Sequence, residues 1–400
     1  MPTPGETRHS PEFELLLACC AHPRDSDGTA QALGLPIDWE IALRLGEHHR
    51  VLPALHASLN GRDAVPGSIS LAIDSRFQKN GLKALRFSAE LARIARAFAD
   101  CGIDALAHKG PVLAQFLYGD PSMRQFGDLD FLVRPADVVL AKPVLRELGY
   151  ESQLQLSPPQ EQAYLRSGYE YVFALGSQRN LLELQWRIVP RFYSIEFHLE
   201  AAFGRAVEME IEGFRVRTLG HEDLMLALCV HAAKHGWAQL GMLRDIAALA
   251  DFGLDWNWIW AEARRLGIFR ILLVSLLLAR NLLSCPVPGN MPALGEIEDA
   301  EKLAEAIQLR LSTGEEADIR SLRYFRDFMN TRERWQDRTR FASRLALTPS
   351  LSEWESVRIP DSLFPLYRIV RMGRLLKRAI AMNGILPRNR AARPRSKCGC

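Results

Sequence analysis

Two aspartates one residue apart, Asp128 and Asp130 in "GDLDFLV", lead into an apolar stretch. Residues i and i+2 of a strand point to one face, so an extended "GDLDFLV" would project both carboxylates together. Carboxylates held that close repel each other unless a cation lies between them. Mg²⁺ is a hard ion that takes oxygen ligands, commonly one or two carboxylates plus substrate phosphates. Two such ions about 3.5–4 Å apart activate a nucleophile and stabilise a leaving oxygen in phosphoryl or nucleotidyl transfer. That design wants a third carboxylate from a neighbouring strand. Glu183, a charge inside the apolar "LLELQW", is the candidate, because a buried carboxylate is costly unless paired or metal-bound. The residues alone leave the alternatives open: a metal site, or a polar strand end with Glu183 on the solvent face of an edge strand.

Upstream, "HKG" sits where a strand would turn into a helix. Gly110 lets backbone approach closely, and the free N–H groups of the following helix favour anions. Lys109 adds a point charge suited to phosphate, and Arg124 a fork that could reach the same cleft. Downstream, His231 and His235 share one helix face. A zinc protease would need Glu after the first histidine, where this chain has Ala232. The pair is expected to be partly buried beside the cleft, near Asp245 and Trp237, with substrate contact as the alternative.

The elements that must position these groups can be traced along the chain. "PIDWEIALRLGEHHRVLPALHASL" has apolar residues at helical spacing behind an Asp38 cap. A long amphipathic pattern follows and ends at Gly102. "IDALAH", "GDLDFLV", "YEYVFAL" and "NLLELQWRI" are strand candidates. "GPVLAQFLYG" and "PADVVLAKPVLRELGY", the latter from near Pro135, are helix candidates, and "VEMEIEGFRVRTL" is a hairpin candidate about Gly213. From "HEDLMLALCV" onward the pattern is helical again, with a Pro/Gly-rich break at 285–295. The "WNWIW" tryptophans are expected in helix core rather than as a base-stacking platform. The expected fold is therefore α/β (α+β), a small mixed sheet flanked by helical regions. Its divisions are 1–100 helical, 101–220 the α/β core, 221–382 helical, and 383–400 a basic disordered tail.

Composition is that of an ordinary soluble globular chain, 48% hydrophobic and 24% charged. The charge is uneven. Residues 368–400 hold ten Lys or Arg and no Asp or Glu, so the chain's net +3 leaves −7 on the first 367 residues. Such a tail suits an anionic partner such as nucleic acid, an anionic lipid surface or an acidic leader peptide, or is simply solvated. Arg368, Arg371, Arg374 and Arg378 would form one face of an amphipathic helix, with Leu363, Leu366, Ile369 and Leu376 free to pack. A net-negative body argues against a long nucleic-acid track. Seven cysteines show no zinc spacing or disulfide framework. The N-terminus has no basic n-region, and "ILLVSLLLA" falls far short of the about 20 residues needed to span a bilayer. A cytoplasmic setting is expected.

The order of these motifs adds a further indication. "LAHKGPVLAQFLYGDPSMRQFGDLDFLV", then "LLELQW" and "HAAKHGWAQLGMLRDIAAL", resembles the uncharacterised bacterial nucleotidyltransferase family within the DNA polymerase beta superfamily. The resemblance spans roughly residues 80–260 and, more loosely, the whole chain. It implies that Asp128, Asp130 and Glu183 bind Mg²⁺ or Mn²⁺, and that Lys109, Gly110 and Arg124 face the phosphates of an NTP. It also implies a small-molecule or peptide acceptor, as in natural-product or polysaccharide tailoring. Two departures stand out: Lys-Gly replaces the superfamily's Gly-Ser turn, as is usual in this family, and Gln185 stands where relatives often carry His. The alternatives are a catalytically inactive binding protein that keeps the fold, or a nucleic-acid binder using the basic tail.

Overall fold

Local caps start the N-terminal helices. Ser10 accepts from Phe13 N before α1 (Pro11–Cys20), and Asp25 accepts from Gly28 N at the head of α2 (Ser26–Leu33). Asp38 Oδ1 accepts from Glu40 N and Ile41 N at the head of α3 (Trp39–His48). Each such cap satisfies N–H groups that the helix itself cannot. The structure, a computed structural model, describes residues 9–176, 180–286, 294–313, 321–349, 353, 357 and 359–382. The 383–400 tail, with Cys398 and Cys400, and most of the 285–295 break lie outside the described residues.

After α4 (Leu52–Leu59), α5 runs from Gly67 to Asp100 and stops at Gly102, whose φ is +68°. The α/β segment follows: β1 (Ala105–Ala107), α6 (Gly110–Tyr118), β2 (Asp128–Val133), α7 (Val138–Glu147), β3 (Tyr150–Ser152) and α8 (Pro158–Ser167). Next come β4 (Glu170–Leu175), β5 (Asn180–Gln185), α9 (Leu199–Gly204), β6 (Val207–Ile211) and β7 (Phe214–Thr218). The helix expected near Pro135 begins at Val138. Glu212 and Gly213, at φ +49° and +70°, form the two-residue hairpin turn between β6 and β7, the mirror-image type whose twist matches the strands. The C-terminal helices are α10 (His221–Lys234), α11 (Leu240–Ala250), α12 (Trp256–Leu266), α13 (Phe269–Leu283), α14 (Leu294–Ser312), α15 (Leu322–Asn330), α16 (Trp335–Leu347) and α17 (Tyr367–Met382). No helix among the described residues is long and apolar enough to cross a membrane.

The strands form one mixed sheet in the order β3-β4-β5-β2-β1-β7-β6. β2 is parallel to β5 and antiparallel to β1, and β4 is antiparallel to β5. Strand parity divides the residues between two cores. Leu129, Phe131 and Val133 of β2, with Leu182 and Leu184 of β5, pack with Phe87, Leu91 and Phe98 of α5 and with Val138 and Leu145 of α7. Leu132 faces the other way, into a core built from α1, α4, α10, α11, α13 and α14. Full burial of each such side chain contributes roughly 1.5–3 kcal/mol. Asp128 and Asp130 share Leu132's parity, so they open toward the helical side. The N-terminal helices and the C-terminal helices thus complete one core, tied further by His22 N donating to Leu283 O.

Three expectations need correction or refinement. The 36–59 stretch is two helices, broken at His49–Val51. The arginines of α17 do not form one exposed face, since Arg368 is exposed but Arg371 turns inward. Arg371 is buried, Arg371 and Arg374 both pair with Glu353, and Leu363, Leu366, Ile369 and Leu376 lie exposed. A buried Glu353 needs cations more than the helix needs a polar outer face. Glu183 does not sit at an edge, because β5 lies between β4 and β2. The "WNWIW" segment packs into the helical core through Ile259 and Trp260, as expected. Cys19, Cys20, Cys229 and Cys285 are buried free thiols, and Cys101 is an exposed one.

Candidate active site

The β1–α6 turn brings a cation and a helix N-terminus to the head of β2. Gly110 has φ +62°, and a Cβ on it would sit 3.2 Å from the carbonyl oxygen of Asp128. Glycine is thus required twice, for the backbone conformation and for the approach of α6 to β2. Gly110→Ala is expected to cost about 1–3 kcal/mol, read as a lower urea midpoint at unchanged slope. Lys109 at the N-cap is extended, with φ −137°, and no side chain caps α6.

Register places the acids. Asp130 and Glu183 are direct partners across the parallel β2–β5 ladder, and Asp128 lies two residues back on the same face. Lys109 Nζ donates to Asp130 Oδ1 at 2.5 Å, and Gln185 Nε2 donates to the same oxygen at 3.0 Å. Gln185 Nε2 also donates to Glu183 Oε2 at 2.8 Å, while its Oε1 takes the His108 Nε2–H at 3.1 Å. The residue standing where a histidine was expected therefore yokes two of the three carboxylates. Asp130 Oδ2 is buried with no hydrogen-bond partner among the described residues. A fourth acid, Glu170 on β4, is opposite Gln185 in register, with its own buried, unpartnered Oε2.

The charge states follow. Burial would raise Asp130, but the adjacent Lys109 ammonium outweighs it and holds this carboxyl below the usual range. Burial, then the Asp130 charge, raises Asp128. Glu183 is pushed up to about 9 by burial, then by Glu170 and Asp130. Burial also raises Glu170. In this conformation no three or more His, Cys, Asp or Glu among the described residues are arranged to hold a metal ion, and Lys109 supplies the positive charge inside the cluster. The donor set nonetheless fits a hard cation. Three carboxylates share one face, and an Asp130 oxygen lacks a hydrogen-bond partner among the described residues. Asp128 and Glu183 are raised first by burial and then by neighbouring acids, whose repulsion a divalent ion would relieve.

Arg124 is held from several sides. Asn80 Nδ2 donates to the carbonyls of Ser122 and Arg124, and Gln125 Oε1 accepts from Leu52 N. Arg124 Nε donates to Asp245 Oδ2 at 2.9 Å, and Tyr118 OH to Oδ1 of the same carboxylate at 2.8 Å. Asp245 therefore belongs to Arg124 and Tyr118, with no bond to either histidine.

These groups line a cleft of about 360 Å³ between the sheet and the helices. Lys109, Gly110, Arg124, Asp128, Asp130, Glu183, His231 and His235 all border it, so the structure brings these sequence-derived candidates together. The His231 and His235 rings lie 4.7 Å apart between centroids, tilted by 54°. The cleft also takes Arg50, His48, Lys234 and Gln239, none of which sequence reasoning singled out. The "HHR" cluster and the Lys between the two histidines were signals available for three of them.

Buried imidazoles give the fold an acid limit. Burial lowers His49 to about 3, His108 to about 4 and His235 to about 3, and holds His231 well below its ordinary value. A depressed histidine contributes stability above about pH 6.5 that is lost as pH falls toward the folded-state value, at up to about 1.4 kcal/mol per pH unit. His49 Nδ1 accepts from Leu240 N, and its Nε2 has no partner. Urea midpoints are expected to fall between pH 6.5 and 5, with His49→Gln flattening that slope by one proton.

The family described as "Uncharacterised nucleotidyltransferase" matches residues 36–284, more than half of the chain, and the chain belongs to that family. A crystal structure described as an antigenic nucleotidyltransferase-like protein from Paracoccidioides brasiliensis is loosely similar. It is 16% identical, with 50% of this chain and 97% of that one covered, at a TM-score of 0.32. No curated protein matches the chain.

Proposed function

We propose that this protein transfers a nucleotidyl group from an NTP to a small-molecule or peptide acceptor, in the manner of the DNA polymerase beta superfamily. The observation that carries the reading is the register that sets Asp128, Asp130 and Glu183 on one face of β2 and β5, at a cleft that Lys109 and Arg124 make basic. The acceptor oxygen forms a bond to the α-phosphorus, the α–β phosphoanhydride breaks, and pyrophosphate leaves. Lys109, the uncapped N-terminus of α6 and Arg124 orient the phosphates. Glu183, raised to about 9 by burial and then by Glu170 and Asp130, would give up its proton to serve as a cation ligand, and the acceptor's proton is released to solvent. Mg²⁺ or Mn²⁺, held by Asp128, Asp130 and Glu183, would neutralise charge developing on the phosphates.

The test is incubation with each α-labelled NTP, either metal and a panel of hydroxyl- and phosphate-bearing acceptors. Asp128→Asn/Asp130→Asn serves as the control. Label transferred by wild type and not by the double variant supports the reading. A second reading, a binding protein that keeps the fold without turnover, draws on the Lys109–Asp130 ion pair, which already neutralises one acid. It predicts nucleotide binding that no divalent ion strengthens. If wild type neither binds nor transfers any NTP, the enzymatic reading is lost.

A further inference from the structure

Arg50 sits at the break between α3 and α4, in a conformation that its residue type disfavours. Its φ is +57°, a left-handed backbone that costs a non-glycine residue about 1–2 kcal/mol. Such strain persists only where the surroundings impose it, and it concentrates at functional sites. Here they impose it closely. Gly241 N donates to His49 O at 3.0 Å, and a Cβ on Gly241 would lie 3.1 Å from the carbonyl oxygens of both His49 and Arg50. His49 is fully buried and accepts from Leu240 N. Leu52 N is held by Gln125, the neighbour of Arg124.

The side chain this turn delivers borders the cleft. Its guanidinium makes no hydrogen bond or ion pair among the described residues. It lies within electrostatic reach of Asp128, of Lys83 and of His235. Arg124 differs, since its Nε is committed to Asp245. Arg50 borders the cleft beside Lys109 and Arg124, which are already paired with Asp130 and Asp245, and beside Lys234 and Asp128. A guanidinium with no hydrogen-bonded partner among the described residues is free to take a multiply charged anion, and its fork matches phosphate oxygens.

We propose that Arg50 is a polyphosphate-binding residue, through which the N-terminal helices grip the β- and γ-phosphates that Lys109 and Arg124 hold from the sheet side. The assignment of those phosphates to an NTP rests on the function proposed above, whereas the affinity for a polyphosphate does not.

The experiment measures binding of Mg²⁺-tripolyphosphate, ATP and AMP to the full chain by calorimetry. Wild type is compared with Arg50→Gly and Arg50→Gln, and thermal melting is recorded alongside. Glycine adopts the left-handed backbone freely, so Arg50→Gly is expected to melt at or above the wild-type temperature. It is also expected to bind tripolyphosphate about 10- to 100-fold more weakly, with AMP affinity changed far less. A merely structural arginine would leave affinity unmoved, and that result overturns the proposal. If the glycine variant fails to fold, Arg50→Gln decides the matter by the same affinity comparison. Tripolyphosphate binding that depends on Arg50, without ATP binding, sustains the proposal and sinks the nucleotidyl-transfer reading. ATP binding indifferent to Arg50 does the reverse, and binding of neither ligand to wild type removes both.

Discussion

Asp128→Asn protein is expected to fold, to bind NTP, and to transfer nucleotide on the order of a thousandfold more slowly than wild type, a loss of about 4 kcal/mol of transition-state stabilisation. The choice of Asp128 over its neighbour follows from the contacts. Asp130 is built into the fold through Lys109 and Gln185, so its replacement would confuse stability with chemistry. Asp128 borders the cleft, and burial together with the Asp130 charge raises its carboxyl. Removing that charge relieves repulsion, so the variant is expected to match or exceed wild type in urea midpoint at pH 7. Steady-state transfer of label from an α-labelled NTP, with metal titrated, reads the rate. Turnover within tenfold of wild type would show that Asp128 takes no part in catalysis.

Lys109→Met carries the largest expected stability effect, a loss of about 3–5 kcal/mol near neutral pH. Asp130 is 1% exposed and Lys109 13%, so methionine would leave a buried carboxylate facing the Glu183 side chain with no ammonium between them. Replacing both partners is milder than replacing one. Lys109→Met/Asp130→Asn is therefore expected to recover at least about 1–2 kcal/mol of the single-variant loss. Divalent cation offers a second diagnostic. Saturating Mg²⁺ stabilises whatever state binds it by about 2.7 kcal/mol at a hundredfold excess over Kd. It is expected to raise the Lys109→Met midpoint more than the wild-type one, because the ion no longer competes with the lysine for Asp130. Equal shifts in both proteins would mean that cation and lysine use different oxygens.

Much of the site was legible because strand parity and composition are local properties. Asp128 and Asp130 two residues apart had to share a face, and Glu183 stood out as a charge in an apolar strand. The hairpin at Gly213 and the end of α5 at Gly102 followed from glycine's backbone freedom. What stayed hidden depends on which distant element arrives. Glu170 reads as an ordinary strand start until β4 is laid beside β5. Gln185 looked like a weakened histidine position, yet its two amide hydrogens serve two carboxylates at once. Asp245 does line a small cavity with His231, but its hydrogen bonds come from Arg124 and Tyr118, over a hundred residues earlier. The left-handed turn at Arg50 lies inside a continuous helical pattern, and only the close approach of Gly241 accounts for it. The inward turn of Arg371 likewise depends on a buried Glu353 that no periodicity announces.

The core shared by the first and last helices also governs the order of assembly. During synthesis α1 and α4 emerge long before α13, the helix against which His22 is fastened. At about 5–20 residues per second, their apolar faces wait on the order of ten seconds or more for partners. The sheet and α5 have most of their contacts nearer in sequence and can consolidate first. Closure of the cleft, which needs the α3–α4 turn seated on the head of α11, then comes among the last events. Contacts so distant along the chain form slowly. A nascent chain halted before α13 would therefore hold a paired sheet and a half-built cleft, with its N-terminal helices still open to chaperones.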